Sequence, residues 1–184
     1  MVRELKHRVS NLFATVQAMV RMSAREADLP AADAEELLAR IGAMATAHRV
    51  SLEAAGGPVP LHELFTAMLE QVGPISFEGP SVMLPEDKMT PVSLILHELS
   101  TNALKYGAWA RPEGRVHIHW AVERPPKRLV LQWRESGLDD VDPTALSARG
   151  FGTRLIEGAA WQLDGRYTRS LSGGELCNLL TVPL

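Results

Sequence analysis

Between Glu53 and Pro60 the chain reads EAAGGPVP, and the hydrophobic period differs on its two sides. Before this break apolar residues step by threes and fours. After it, helical stretches mix with stretches that alternate every second residue. Glycine and proline between two such patterns mark a hinge near Gly56 to Pro60. The expected organisation is α+β in two units, residues 1–56 and 57–184.

In the first unit Leu5, Val9, Leu12, Val16, Met19 and Ser23 form a heptad-like seam. The segment ADLPAAD, punctuated by Pro30, separates it from a second helix. Asp33 and Glu36 have the spacing of a capping box at that helix start. Ala34, Leu38, Ile41, Ala45, His48 and Leu52 repeat the seam. Two antiparallel helices cannot bury both apolar faces alone, so a homodimeric four-helix bundle is expected. The seams are rich in Ala and Ser, which leaves intramolecular packing of a monomer as the alternative.

The second unit reads as helices over LHELFTAMLEQV, TPVSLILHELSTNALKYG and TRLIEGAAWQL. RVHIHWAV and RLVLQWR alternate as strands do. GRYTRSL and ELCNLLTVPL, joined by Ser172-Gly173-Gly174, read as a closing hairpin. Helices grouped with an antiparallel or mixed sheet predict an α/β sandwich. The formal net charge of −3 argues against a nucleic-acid partner. No apolar run is long enough to span a bilayer. The lone cysteine, Cys177, excludes an internal disulfide and suits the cytoplasm. The chain opens inside a helical pattern, as a piece of a longer protein would.

One helix carries chemistry. Turning 100° per residue from Glu98 puts Asn102 at about 40° and Lys105 at about −20°, so the three form one polar stripe. Val92, Ile95, Leu99, Ala103 and Tyr106 form an apolar stripe expected to face a core. A solvated helix face with an ion pair explains the polar stripe as well as a nucleotide-phosphate site does. In the second case the Asn102 carbonyl oxygen would ligate Mg2+, Lys105 would neutralise phosphate, and Glu98 would orient or deprotonate a nucleophile. Downstream, WRESG puts Glu135 at the mouth of a strand, suited to an adenine amino group. It also puts Gly137 where backbone must approach a ligand. GFGTRLIEG places Gly150 and Gly152 before a helix start, whose free amides favour phosphate.

With these motifs in this order, the chain resembles the HWE group of bacterial sensor histidine kinases. His97-Glu98, Asn102, Ala103, Lys105 and Tyr106 match the N-box, Trp133 and Glu135 the G1-box, and GFGTRLIE the G2-box. ELKHRVSNLFATVQA matches the H-box, which makes His7 the phosphoacceptor. The resemblance implies a dimerisation and phosphotransfer hairpin followed by a Bergerat (GHKL) ATP-binding domain. It implies that Mg2+ and ATP phosphorylate His7, with the phosphoryl group passing to an Asp of a response regulator receiver domain. Asn102 would bind Mg2+, Lys105 the phosphates and Glu135 the adenine. His97, Trp133, Gly137, Gly150, Gly152 and Thr153 complete the nucleotide site, and Glu98 is the candidate base. Such kinases are commonly fused to an upstream sensor domain, and none is expected within these 184 residues.

The G1-box departs from the family pattern, with Leu138 and Asp139 where Gly and Pro are common. Leu138 is expected to crowd the backbone near the nucleotide, and Asp139 with Asp140 to add negative charge beside it, both weakening ATP affinity. Two alternatives stand beside the kinase core: a histidine phosphotransfer protein with weakened or lost ATP use, and a nonenzymatic dimerisation or docking module. Elsewhere, His117 and His119 share a strand face at metal-friendly spacing without a third ligand in view, which favours a surface pair over zinc. His48 reads as a core or rim residue, and Cys177, Trp120 and Trp161 read as core.

Overall fold

Two long helices come first, α1 (Val2–Glu26) and α2 (Ala31–Glu53). The computed structural model describes the backbone of residues 2–141 and 150–184, and within those spans the side chains from residue 8 onward. Pro30 is the N-cap of α2, and no side chain caps the helix there. Asp33 therefore sits inside the first turn rather than capping it, because the fixed φ of Pro30 starts the helix earlier.

The face of α1 turned to α2 consists of Val9, Phe13, Gln17, Val20 and Ala24. The Phe13 ring lies 5.6 Å from that of His48, which puts His48 in the seam. Leu12 and Met19, expected in that seam, are 61% and 62% exposed. The helix carries two adjacent apolar stripes, and the Phe13 ring and small Ala24 let α2 close on the neighbouring one. Leu5 lies outside the described side chains.

The second helix works on two faces. Ala34, Leu38, Ile41, Ala45, His48 and Leu52 are half-buried, whereas Ala43, Ala47, Val50 and Ser51 are buried on another side. That other side meets α3 (Leu61–Leu69) and α4 (Glu86–Lys105). The Ser51 hydroxyl donates to Glu86 Oε1 at 3.1 Å, tying the end of α2 to the start of α4. Between α2 and α3 the chain turns at Ala55 and Gly56, both with positive φ. Of the segment Gly56 to Pro60 expected to be a hinge, Val59–Pro60 (β1) pairs antiparallel with Met83–Leu84 (β3).

A five-stranded sheet completes the fold. Its strands are β2 (Ile75–Glu78), β4 (Arg115–Glu123), β5 (Arg128–Ser136), β6 (Arg166–Ser172) and β7 (Glu175–Pro183). They run in the order β2-β4-β5-β7-β6, with β2 parallel to β4 and the other pairs antiparallel. A 3-10 turn (Ala108–Ala110) follows α4, and α5 (Phe151–Gln162) precedes β6. The alternation read from the sequence holds. Val116, Ile118 and Trp120 on β4 and Leu129, Leu131 and Trp133 on β5 join one core with α3, α4 and α5. Each such large side chain contributes about 1.5–3 kcal/mol of burial. The architecture is thus the α+β arrangement expected, a helical hairpin and then an α/β sandwich.

Three further placements differ from expectation. Tyr106 is the C-cap of α4 and 72% exposed, because the apolar stripe runs off the helix end. Trp161, in the last turn of α5, is 79% exposed. Cys177 is half-buried, opposite Arg134 and Ser170, because its strand face carries polar neighbours. Among the described residues no helix is long and apolar enough to cross a membrane.

Candidate active site

The polar stripe of α4 faces a cavity of about 480 Å³, within the range of small-molecule sites. Glu98, Asn102 and Lys105 line it together. Glu98 is only 3% exposed, which rules out a solvated helix face for that carboxylate. Its position is set from two sides. A Cβ on Gly152 would stand 2.5 Å from Glu98 Oε2, so only glycine lets the start of α5 come so near. Arg40 of α2 donates from Nε to Glu98 Oε1 at 2.6 Å and from Nη2 to Oε2 at 3.4 Å.

The hairpin thereby forms one wall of the cavity. Arg40 also bonds Glu36 Oε2 at 3.3 Å, and its guanidinium lies 4.9 Å from the centre of the Phe151 ring. Glu36 in turn pairs with Lys105. The Lys105 hydrogen bond holds the Glu36 carboxyl below its usual range, and the same bond raises the Lys105 ammonium. Burial pulls the Arg40 guanidinium down, but the bonds and charges of Glu98 and Glu36 more than reverse it. Two carboxyl side chains and two basic ones thus meet at this end of the cavity.

The other end is built on the sheet. Glu135, near the end of β5, is 1% exposed and opposite Leu176, which is opposite Leu171. Leu138 and Val141 join them as apolar lining. The Glu135 carboxylate accepts from Trp133 Nε1 at 3.0 Å and from the Ala108 amide at 2.9 Å. Burial pushes its pKa up, and those two bonds oppose the rise. Each oxygen keeps a lone pair free. A Cβ at Gly107 would collide with Glu135 Oε2, so backbone without a side chain must pass there.

Gly150, Gly152 and Thr153 reach the cavity where α5 begins, with amides at the positive end of a 12-residue helix. Trp133 does not line the cavity but fixes Glu135 from below. Gly137 is also outside it. With φ +80, a Cβ there would stand 3.3 Å from the Gly114 Cα, which marks a tight turn rather than a ligand contact. His97 does not line the cavity, and burial holds its imidazole below the ordinary pKa. The His7 side chain lies outside the described residues.

The acidic loop after Glu135 presents less charge than its sequence suggests. Arg111 donates to both Asp140 oxygens, at 3.0 and 3.1 Å. Asp139 lies against Gly174, and the Leu138 amide donates to the Gly174 carbonyl. Leu138 is turned inward, 2% exposed, as an apolar wall. Glu36 and Arg40 are charged residues of the site that sequence reasoning missed. They lie 69 and 58 positions from their partners, and no local spacing links them.

The donor set suits a metal-bound nucleotide. A buried carboxylate beside apolar walls fits a base with an exocyclic amine. An amide oxygen, two cations and a helix start fit a phosphate chain with a hard divalent ion. The two glycines whose Cβ atoms would fill the cradle support the same fit.

Comparison with known proteins bears on the family and the fold. The sequence profile described as HWE histidine kinase matches residues 4–81. A blue-light-activated histidine kinase 1 of Erythrobacter litoralis is 32% identical over 98% of this chain and 52% of its own length. A blue-light-activated histidine kinase of Rhizobium johnstonii is 32% identical over 100% of this chain and 53% of its own. The chain therefore spans about half the length of these curated relatives. The solved histidine kinase domain of the Erythrobacter litoralis EL346 blue-light-activated kinase superposes with a TM-score of 0.67 at 20% identity. That match covers 100% of this chain and 90% of the other, a likeness of fold.

Proposed function

We propose that the chain is the core of a cytoplasmic sensor kinase of the HWE histidine kinase family, whose sequence profile matches residues 4–81. Residues 1–56 form the dimerising phosphotransfer hairpin and residues 57–184 bind ATP. His7 receives the phosphoryl group and passes it to an Asp of a response regulator receiver domain. The observation that carries this reading is the cavity itself, with Glu135 and apolar walls at one end and Asn102, Lys105 and Glu98 at the other.

When bound, Mg2+ supplies charge neutralisation on the phosphates. Asn102 offers the hard oxygen ligand for it, and Glu135 accepts from the adenine amine. Lys105 and the amides at Gly152 and Thr153 hold the phosphate chain. Glu98 takes or orients the proton of the attacking imidazole. The imidazole nitrogen then bonds to the γ-phosphorus, the bond to the bridging oxygen breaks, and ADP leaves.

The hairpin guards these groups in the arrangement seen. Glu36 occupies Lys105, and Arg40 occupies Glu98. Phosphate oxygens compete with Glu36 for Lys105 and with Glu98 for Arg40. Nucleotide entry therefore loosens α2 from α4, the motion needed to carry His7 to the γ-phosphate.

Calorimetry with Mg2+-ATP on the full chain tests the site. Saturable binding is expected, weakened at least tenfold by Asn102→Ala and lost with Glu135→Ala. A chain that binds no nucleotide would instead fit a histidine phosphotransfer protein.

A further inference from the structure

A second cluster of ligand-bearing side chains lies away from the cavity, on the outer face of the sheet. The parallel register of β2 with β4 sets Ser76 beside His117 and Glu78 beside His119. The alternation that sends Val116, Ile118 and Trp120 into the core puts both histidines on the opposite face. Ser76 and Glu78 are exposed on β2. One ligating atom from each of Glu78, His117 and His119 lies within 4.8 Å of the other two. His117 Nε2 stands 3.8 Å from Glu78 Oε2.

The orientation of His117 is set from behind. Ser76 Oγ is 2.7 Å from His117 Nδ1. With the proton on Nδ1 donated to that hydroxyl, the Nε2 lone pair faces Glu78. Metal-ligating histidines are held in this manner through their second nitrogen. A competing cation stands close by, since Arg134 is opposite His117 in the pairing of β4 with β5. It is committed elsewhere, donating to Gln132 Oε1 at 2.8 Å and lying 3.9 Å from Glu175 Oε1.

We propose that Glu78, His117 and His119 form a binding site for a borderline divalent transition metal such as Zn2+. Two imidazoles and a carboxylate are a donor set that Zn2+ takes, with water in the fourth position. Mg2+ and Ca2+ prefer all-oxygen sets and are not the expected ions. Bonds of about 2.0–2.1 Å require ligand atoms roughly 3.3 Å apart, so the cluster must contract slightly. The Glu78 side chain, 74% exposed, is free to make that movement. The ion would staple the four-residue edge strand β2 to β4, a role independent of phosphoryl transfer.

The test is titration of the metal-free full chain with Zn2+ by calorimetry and with Co2+ by visible absorption. The variants are Glu78→Gln, His119→Ala and Ser76→Ala, with circular dichroism to verify their fold. One ion per chain is expected, with a Co2+ spectrum of tetrahedral character and a rise in Tm on adding Zn2+. Affinity should fall at least tenfold in Glu78→Gln and His119→Ala, and less in Ser76→Ala. No saturable binding, or binding that the Glu78 and His119 variants leave unchanged, would overturn the site.

Discussion

Gly107 shows how tightly the cavity floor is specified at the residue scale. A Cβ there would strike Glu135 Oε2 and stand 2.8 Å from the Ala103 Cα. Gly107→Ala should therefore cost about 1–3 kcal/mol, as overpacking does, measured by urea unfolding, and should weaken nucleotide binding by displacing Glu135. His97 gives a prediction of pH dependence. Burial lowers its folded pKa below the ordinary imidazole value of about 6.5. Below that value the unfolded chain binds the proton more readily, so stability falls as pH falls. Urea unfolding between pH 7.5 and 5 should show this loss, and His97→Gln should lose less over the same window. The stripe of Glu98, Asn102 and Lys105 was legible because one helical period relates all three. Arg40 and Glu36 were not, because their meeting with that stripe depends on tertiary packing.

At the scale of elements, α2 is the part that sequence pattern described least completely. A heptad seam accounts for its contact with α1, but Ala43, Ala47 and Val50 make a second buried face against α3 and α4. Small residues carry little periodic signal, so that face does not stand out. The four-residue strand β2 was missed for a related reason. It lies between Gly73-Pro74 and Gly79-Pro80 and is defined by its long-range pairing with β4. That pairing also supplies Glu78, the third ligand beside His117 and His119. Two predictions concern the docking of α2 on α4. Glu36→Gln removes a rival of phosphate for Lys105, an exposed pair worth about 0.2–1 kcal/mol. ATP affinity measured by calorimetry should rise by up to about fivefold. Arg40→Ala and Glu98→Ala combined in a double-mutant cycle should show a coupling of about 1–3 kcal/mol in unfolding free energy. A coupling near zero would mean that the Arg40–Glu98 contact does not hold α2 in place.

For the whole molecule, the break at Glu53–Pro60 foretold an α+β chain, while how its two units meet was not legible. The exposed stripe of Leu12, Val16 and Met19 on α1 is the surface expected to meet a second copy. Leu12→Asp with Met19→Asp should convert a dimer to a monomer in sedimentation velocity, with the helical content preserved. The central claim is autophosphorylation at His7 from ATP held in the cavity. Its most direct measurement is acid-labile label retained on the purified chain after incubation with Mg2+ and γ-labelled ATP, beside His7→Ala. Label on the original chain and none on the His7→Ala variant is the expected result. Equal label on both, or none on a chain shown to bind ATP, would contradict it.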